Sequence, residues 1–250
     1  MMQVTISIVS HGHDELVQNL VSQLASFPAY IKKVILTHNI EPRISFETEN
    51  APFEIVQICN KNAMGFGANH NQAFEYCHTN YFCVMNPDIM LDSDPFSGLL
   101  NCASQKNVAI VAPRIVNTEQ KNEDSARYFP TPWGLLKKIF GNYDGIYPMV
   151  DTNKVTNPDW VAGMFMLINT ENYRKVLGFD ESFFLYYEDV DLCARVWEQG
   201  YKVALCPQVS VVHDARRESH RNFRFLKWHI NSAMRFFIRY LGKDPRKQVK

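Results

Sequence analysis

Val4-Thr5-Ile6-Ser7-Ile8-Val9-Ser10 is a short β-branched run, and His13 to Ala25 directly after it repeats apolar residues at helical spacing. The pair recurs outward from there. Further strand-like runs lie at Val34–Leu36, Phe53–Ile58, Tyr81–Met85 and Val108–Val111, with helix-like periods at Ala68–Cys77 and Pro95–Ser104. Such alternation predicts an α/β domain built on a largely parallel sheet covered by helices. In open sheets of this kind ligands bind beyond the carboxyl ends of the strands. Ser10 to His13, Thr37 to Asn39, Asn60 to Asn69, Asn86 to Asp88 and His213 are therefore the first candidates for chemistry.

The second half reads as mixed. A Gly- and Pro-punctuated stretch runs from Asn117 to Pro158, followed by an apolar run at Val161–Ile168, a helix near Asp189–Gln199, and paired strands near Lys202–Leu205 and Val209–Val212. The 250 residues are 46% hydrophobic and 21% charged, an ordinary globular composition that excludes disorder, collagen and coiled coil. Val161–Ile168 is the longest apolar run, far short of the roughly 20 residues of a membrane-spanning helix. Residues 1–10 lack the layout of a secretory signal, so a cytoplasmic location is expected. The six cysteines stand singly in apolar segments without a Cys-x-x-Cys pair and read as buried thiols.

Charge is balanced overall but not along the chain. Residues 214–250 hold eleven Lys or Arg against three acids. Within this arm Asn222 to Leu241 reads as an aromatic, basic amphipathic helix. It is either docked on the domain with a solvated basic face or seated on an anionic membrane surface. Nucleic acid is not an expected partner, because no binding module is recognisable and the rest of the chain is acidic.

Individual motifs divide between chemistry and structure. Gly65-Phe66-Gly67 follows a strand and precedes a helix, but the third glycine of a dinucleotide fingerprint would have to be His70, so that reading fails. The turn still lets backbone N–H groups approach a ligand. Asn86-Pro87-Asp88 ends a wholly apolar strand, which places Asp88 at the rim of a buried sheet as a ligand for a hard divalent cation. Asp92-Ser93-Asp94 precedes Pro95 and reads as a helix cap. On a helical wheel Glu188, Asp191, Arg195, Glu198 and Gln199 share one arc, while Asp189 falls among the apolar residues. Asp189 is then a cap or a site group facing a cleft, with the helix N-terminus favouring its ionised form. His213 closes a strand and is a candidate ligand through neutral imidazole.

Taken in order, Val4 to Ser10, Gly65-Phe66-Gly67-Ala68-Asn69-His70-Asn71, Met85-Asn86-Pro87-Asp88, Ala112-Pro113-Arg114, Asp159-Trp160-Val161-Ala162-Gly163, Gly178 to Phe184, Tyr187-Glu188-Asp189-Val190-Asp191-Leu192 and Val212-His213 resemble the family-two glycosyltransferases of the GT-A fold. The likeness is greatest to the bacterial rhamnosyltransferase-type members that build surface polysaccharides such as O-antigen, lipopolysaccharide and capsule. It covers Val4 to His213, and implies a domain over residues 1–213 with a nucleotide-sugar-binding half (1–115) and an acceptor and catalytic half (116–213). Residues 214–250 form the separate arm.

The resemblance implies that Asp88 holds Mg²⁺ or Mn²⁺ on the donor diphosphate with His213 beside it, and that Asp189 is the general base. Ser10, His11, Asn39, Gly65, Phe66, Gly67, Asn69, Asn86 and Arg114 would line the donor, and Trp160, Gly163 and Glu188 the acceptor. Two positions depart from the family: His11-Gly12 stands where Tyr-Asn is common, and His38 where Asp is common. These bear on the nucleobase. The implied reaction is an inverting transfer from a nucleoside-diphosphate sugar, dTDP-rhamnose first and UDP-hexose or UDP-galactofuranose as alternatives, to a saccharide or lipid-linked saccharide. A non-catalytic nucleotide-sugar or glycan-binding module is the rival from another class. A hydrolase would need a second carboxylate as acid.

Overall fold

The β-branched run at the N-terminus becomes β1 (Val4–Ser10), the inner strand of the sheet's parallel half in a computed structural model describing residues 2–42, 51–139, 141, 145–148, 154–213 and 223–247. Val4, Ile6 and Ile8 enter one hydrophobic core. The alternating Thr5 and Ser7 are just as buried, which a half-exposed strand would not allow. Their hydroxyls are satisfied instead, Ser7 Oγ by His70 Nδ1 at 2.8 Å and Thr5 Oγ1 by Thr79 Oγ1 at 2.9 Å. Burial lowers the His70 pKa to about 3, so the ring is neutral.

Around β1 stand β2 (Ile31–His38), β3 (Glu54–Cys59) and β4 (Tyr81–Met85), all parallel. The sheet continues through β9 (Phe165–Asn169), β6 (Val108–Val116), β10 (Lys202–His213) and the two-residue β5 (Ile89–Met90), in the order β3-β2-β1-β4-β9-β6-β10-β5. β9 runs antiparallel to both β4 and β6, and β5 antiparallel to β10. The carboxyl ends of β1, β2, β3, β4, β6 and β10 consequently share one edge.

Helices α1 (Asp14–Leu24), α2 (Phe66–Phe74) and α3 (Phe96–Ala103) follow the expected pattern, and α4 (Pro132–Ile139) and α5 (Thr170–Lys175) lie in the second half. Val17, Leu20 and Leu24 bury one stripe of α1. Asp94 caps α3, accepting from Phe96 N at 2.8 Å and Ser97 N at 3.4 Å.

Four expectations are corrected. The apolar run Val161–Ile168 is two pieces: β8 (Trp160–Val161), paired with β7 (Ala126–Arg127), then a turn at Gly163, then β9. The paired strands after Lys202 are the single strand β10, whose register against β6 shifts between Cys206 and Ser210. Pro207 cannot donate to the ladder, which is why the sequence reads there as an interruption. The cysteines are not all buried thiols: Cys59 is exposed, and Cys102 and Cys206 are joined as a disulfide. α3 packs on β10, bringing together two cysteines whose separation of 104 residues gave no local signal.

The fourth correction concerns α6 (Glu188–Glu198). Glu188 and Asp191 are buried, at 5% and 0% exposure, rather than on a solvated arc. The reason is α7 (Phe223–Arg239), whose Ala233 and Phe236, with Tyr240 just beyond, pack against Phe183, Tyr187, Val190 and Ala194. Arg239 binds both Asp191 and Asp180, and Arg195 Nε binds Asp191 at 2.7 Å. The opposite face of α7 is apolar yet open to solvent: Phe223, Leu226, Ile230, Met234 and Ile238, continued by Leu241, range from 48% to 88% exposed. The expected arm is thus a docked helix with a bare outer stripe, and residues 214–222 and 248–250 of it lie outside the described residues. No helix among the described residues is long and apolar enough to cross a membrane.

Candidate active site at the carboxyl edge of the sheet

Ser10 ends β1 at the shared edge and is used by its own turn: its Oγ accepts from His13 N at 3.1 Å and lies 3.5 Å from Asp14 Oδ1. His11, next to it, is exposed. Asn39 follows β2 and is buried. Its Oδ1 accepts from Met64 N at 2.7 Å and from Asn60 Nδ2 at 3.0 Å, and its Nδ2 donates to Met64 O at 2.9 Å. Asn60 Nδ2 also donates to Asn69 Oδ1, while Asn69 Nδ2 donates to Gly65 O at 2.9 Å. Three amides thereby hold the turn that enters α2.

The glycines of that turn are explained by packing. A Cβ on Gly65 would lie 2.7 Å from Phe184 O, and one on Gly67 would lie 2.6 Å from Phe179 Cβ. Phe66 N donates to Phe184 O at 2.9 Å, and its ring meets His70 at 4.5 Å between centroids. The segment before α6 is therefore clamped onto the start of α2.

At the end of β4, Asp88 Oδ2 lies 3.2 Å from His213 Nε2, and Glu123 Oε2 lies 2.6 Å from His213 Nδ1. Burial opposes the imidazolium, but the bonds and attraction from both carboxylates outweigh it and raise the His213 pKa to about 9. Asp88 Oδ1 is buried without a partner among the described residues, as is Arg114 Nε on β6. A hard carboxylate oxygen with an unused lone pair, beside an imidazole nitrogen, fits a divalent cation. Among the described residues no group of three His, Cys, Asp or Glu converges on one point. Asp88 and His213 are the two groups among the described residues that fit such a cation.

Asp189 sits at the first turn of α6. Its Oδ2 accepts from Gly163 N at 3.1 Å and its Oδ1 from Val190 N at 2.8 Å. A Cβ on Gly163 would lie 3.0 Å from the Phe66 ring and 3.7 Å from Asp189 Cβ, so a larger residue there would have to displace that ring. Burial raises the Asp189 pKa, and the backbone N–H groups offset only part of that. The helix N-terminus does not win, contrary to the expectation of a favoured ionised form. Burial and the adjacent Asp189 charge push Glu188 well above the usual carboxylate range, and its Oε2 has no partner among the described residues. Tyr186 and Tyr187, just before α6, have φ of 70° and 66°. Two consecutive bulky residues in the left-handed region are costly, and such strain gathers where side chains must be aimed.

Glu188 and Asp189 line a cavity of about 220 Å³ whose other walls include Arg127, Trp160, Tyr186, Tyr187 and His229. Trp160 Nε1 donates to Tyr128 O at 3.0 Å, and the Arg127 guanidinium lies 6.0 Å from the Trp160 ring centroid. Asp88 is not among the residues lining this cavity. The link between the two acids runs through the sheet: Asn86 N, two residues before Asp88, donates to Met164 O at 2.9 Å, and Met164 adjoins the Gly163 that holds Asp189. Both acids stand at one edge, Asp88 on the side of His213 and Asp189 in the cavity wall.

Sequence reasoning missed Glu123, Arg127, Tyr128, Tyr186 and His229. The first three lie in the irregular connection after β6, where no periodicity marks them. His229 lies on α7, where its spacing is that of any helical residue.

Comparison with known proteins follows the same lines. The chain is 26% identical over 247 residues to Rhamnosyltransferase WbbL of Escherichia coli (strain K12), across 94% of this chain and 93% of that one. It is 24% identical over 172 residues to N-acetylglucosaminyl-diphospho-decaprenol L-rhamnosyltransferase of Mycobacterium tuberculosis (strain CDC 1551 / Oshkosh), across 65% of this chain and 56% of that one. Its fold matches the crystal structure of GalNAc-T7 with UDP, GalNAc and Mn²⁺ at a TM-score of 0.65 and 14% identity, over 89% of this chain and 45% of that one. The model described as "Glycosyltransferase like family 2" matches residues 4–244, and the chain belongs to the family-two glycosyltransferases, with a GT-A-like fold.

Proposed function

We propose that the protein is an inverting glycosyltransferase that moves a sugar, rhamnose from dTDP-rhamnose in the first instance, onto a saccharide or lipid-linked saccharide of a bacterial surface polysaccharide. The observation that carries the reading is Asp189, held by Gly163 N in the wall of an aromatic cavity at the edge that also bears Asp88 and His213. The acceptor hydroxyl attacks the anomeric carbon from the face opposite the diphosphate. The new C–O bond forms as the bond to the diphosphate breaks, and Asp189 takes the hydroxyl proton. A pKa raised by burial makes Asp189 a better proton acceptor than an exposed carboxylate, and such a base contributes roughly 10²- to 10⁴-fold.

Trp160 and the tyrosines supply flat apolar surface for a sugar ring, with Gly163 and Glu188 beside the hydroxyl. Asp88 and His213 would hold Mg²⁺ or Mn²⁺, which when bound supplies positive charge at the donor diphosphate. The donor side is lined by the turn at Gly65–Gly67 with Ser10, His11, Asn39, Asn69, Asn86 and Arg114. Asn39 and Asn69 act there by fixing the turn. The test is a panel of nucleotide sugars with the purified protein, reading nucleoside diphosphate release with and without Mn²⁺ and acceptor. Release from dTDP-rhamnose dependent on acceptor is the expected result. Release from UDP-hexose or UDP-galactofuranose alone changes the sugar, and acceptor-independent release of free sugar replaces the transferase by a hydrolase.

The bare outer stripe of α7 supports a second element of the proposal, an anionic membrane partner for residues 222–250 at the cytoplasmic face of the inner membrane. Phe223 to Arg239 contains four Arg or Lys and no acid, the composition of a helix that lies in a headgroup layer. Met234→Asp and Ile238→Asp are expected to reduce binding to vesicles containing phosphatidylglycerol. Unchanged flotation would leave α7 a purely structural helix.

A further inference from the structure

His213 is contacted on both ring nitrogens, by Asp88 at Nε2 and by Glu123 at Nδ1. Glu123 comes from the connection after β6 rather than from the strand ends that carry the other polar groups. Its backbone is tied back to the sheet, with Glu123 N donating to Ile115 O at 2.9 Å, and Ser125 N donating to Glu123 O at 3.0 Å. We propose that Glu123 is a positioning residue for the cation site: it accepts the Nδ1–H of His213 and so fixes the tautomer and ring orientation that turn the Nε2 lone pair toward Asp88 and a divalent cation. The inference rests on the reading of Asp88 and His213 as the cation's ligands.

The argument is geometric. A neutral imidazole binds metal through one nitrogen only when the proton sits on the other, and an unrestrained ring samples both tautomers and both flips. A carboxylate on Nδ1 selects one of the four arrangements, and the 2.6 Å contact is short enough to hold it. Glu123 is not a third ligand, because the two carboxylates contact opposite sides of the ring. That placement agrees with the lack, among the described residues, of three groups converging on one point. An imidazole clamped by an outer carboxylate is the arrangement by which proteins fix metal-binding histidines, and loss of the outer partner typically weakens metal binding about 10- to 100-fold.

The test uses the full chain and Mn²⁺ alone, followed by the electron paramagnetic resonance of free Mn²⁺ and by nitrogen modulation of the bound ion's spin echo. Glu123→Ala is expected to weaken Mn²⁺ binding about 10- to 100-fold and to reduce the histidine nitrogen modulation. Glu123→Met, which keeps the length of the side chain without an acceptor, is the second variant and is expected to do the same. Glu123→Gln, whose amide oxygen still accepts from Nδ1–H, is expected to retain both signals. If Glu123→Ala or Glu123→Met binds Mn²⁺ as the parent does while His213→Ala loses the nitrogen modulation, the positioning role is wrong and the cation reading stands. If His213→Ala changes neither signal, the cation reading fails and takes this inference with it.

Discussion

The two carboxylate clusters at the edge of the sheet are wired in opposite ways. Asp88 and Glu123 flank one imidazole, each contacting its own ring nitrogen. Glu188 and Asp189 adjoin one another, and burial drives both upward, with backbone N–H groups offsetting part of the shift at Asp189. The first arrangement sets a carboxylate beside an imidazole nitrogen and suits the holding of a cation. The second lowers the cost of accepting a proton and suits a base. The same residue type, at one end of one sheet, is given two chemistries by its neighbours.

The comparison breaks first at Asp189. Asp189→Asn keeps the hydrogen bond from Gly163 but removes proton acceptance, and turnover is expected to fall about 10²- to 10⁴-fold while donor affinity, measured by calorimetry, stays within a few-fold. Unchanged turnover would remove Asp189 as the base. Next in size, Asp88→Ala is expected to lower turnover roughly 100-fold, the scale of losing a few kcal/mol of charge stabilisation, and to abolish the response to added Mn²⁺.

The third effect is one of pH. The proposed base Asp189 must be deprotonated to act, so activity is expected to rise with pH through its raised pKa, with the acid limb of kcat/KM above the ordinary carboxylate range. Burial and not Glu188 raises Asp189, so Glu188→Gln should leave that limb in place. Glu188 is also easier to protonate folded than unfolded, so its contribution to stability is full below the ordinary glutamate pKa and is lost as pH rises through the folded value. The Gln variant should accordingly melt higher than the parent at pH 8, and by less or not at all at pH 4. Smallest is Arg239→Ala, which leaves the buried Asp191 with Arg195 alone. Because Arg239 is itself partly exposed, a loss of about 1 to 2 kcal/mol in urea unfolding is expected.

Much of the sheet was legible because β-branched runs and helical periods report directly on burial: β4 falls on the expected residues, α1 and α3 lie within those expected, and α2 overlaps its expected range but starts earlier, at Phe66. The failures have physical causes. The wheel of α6 misreads Glu188 and Asp191 because an amphipathic pattern assumes one buried face, and α7 covers the other. Glu123 and Arg127 reach the site from a connection whose path is set by tertiary contacts, such as Asp159 Oδ2 accepting from Phe129 N at 2.7 Å. Tyr186 and Tyr187 adopt a backbone conformation that no local preference of tyrosine announces.

The docking of α7 has a practical consequence for dissecting the molecule. Phe236 and Tyr240 fill the same cluster as Phe183 and Tyr187, and His229 lines the same cavity as Asp189. A shortened chain ending before Phe223 would strip a wall from the reaction chamber and leave Asp191 short of a counterion. Its inactivity would say nothing about lipid. Separating attachment from turnover therefore requires point changes confined to the outward stripe, made in the intact polypeptide.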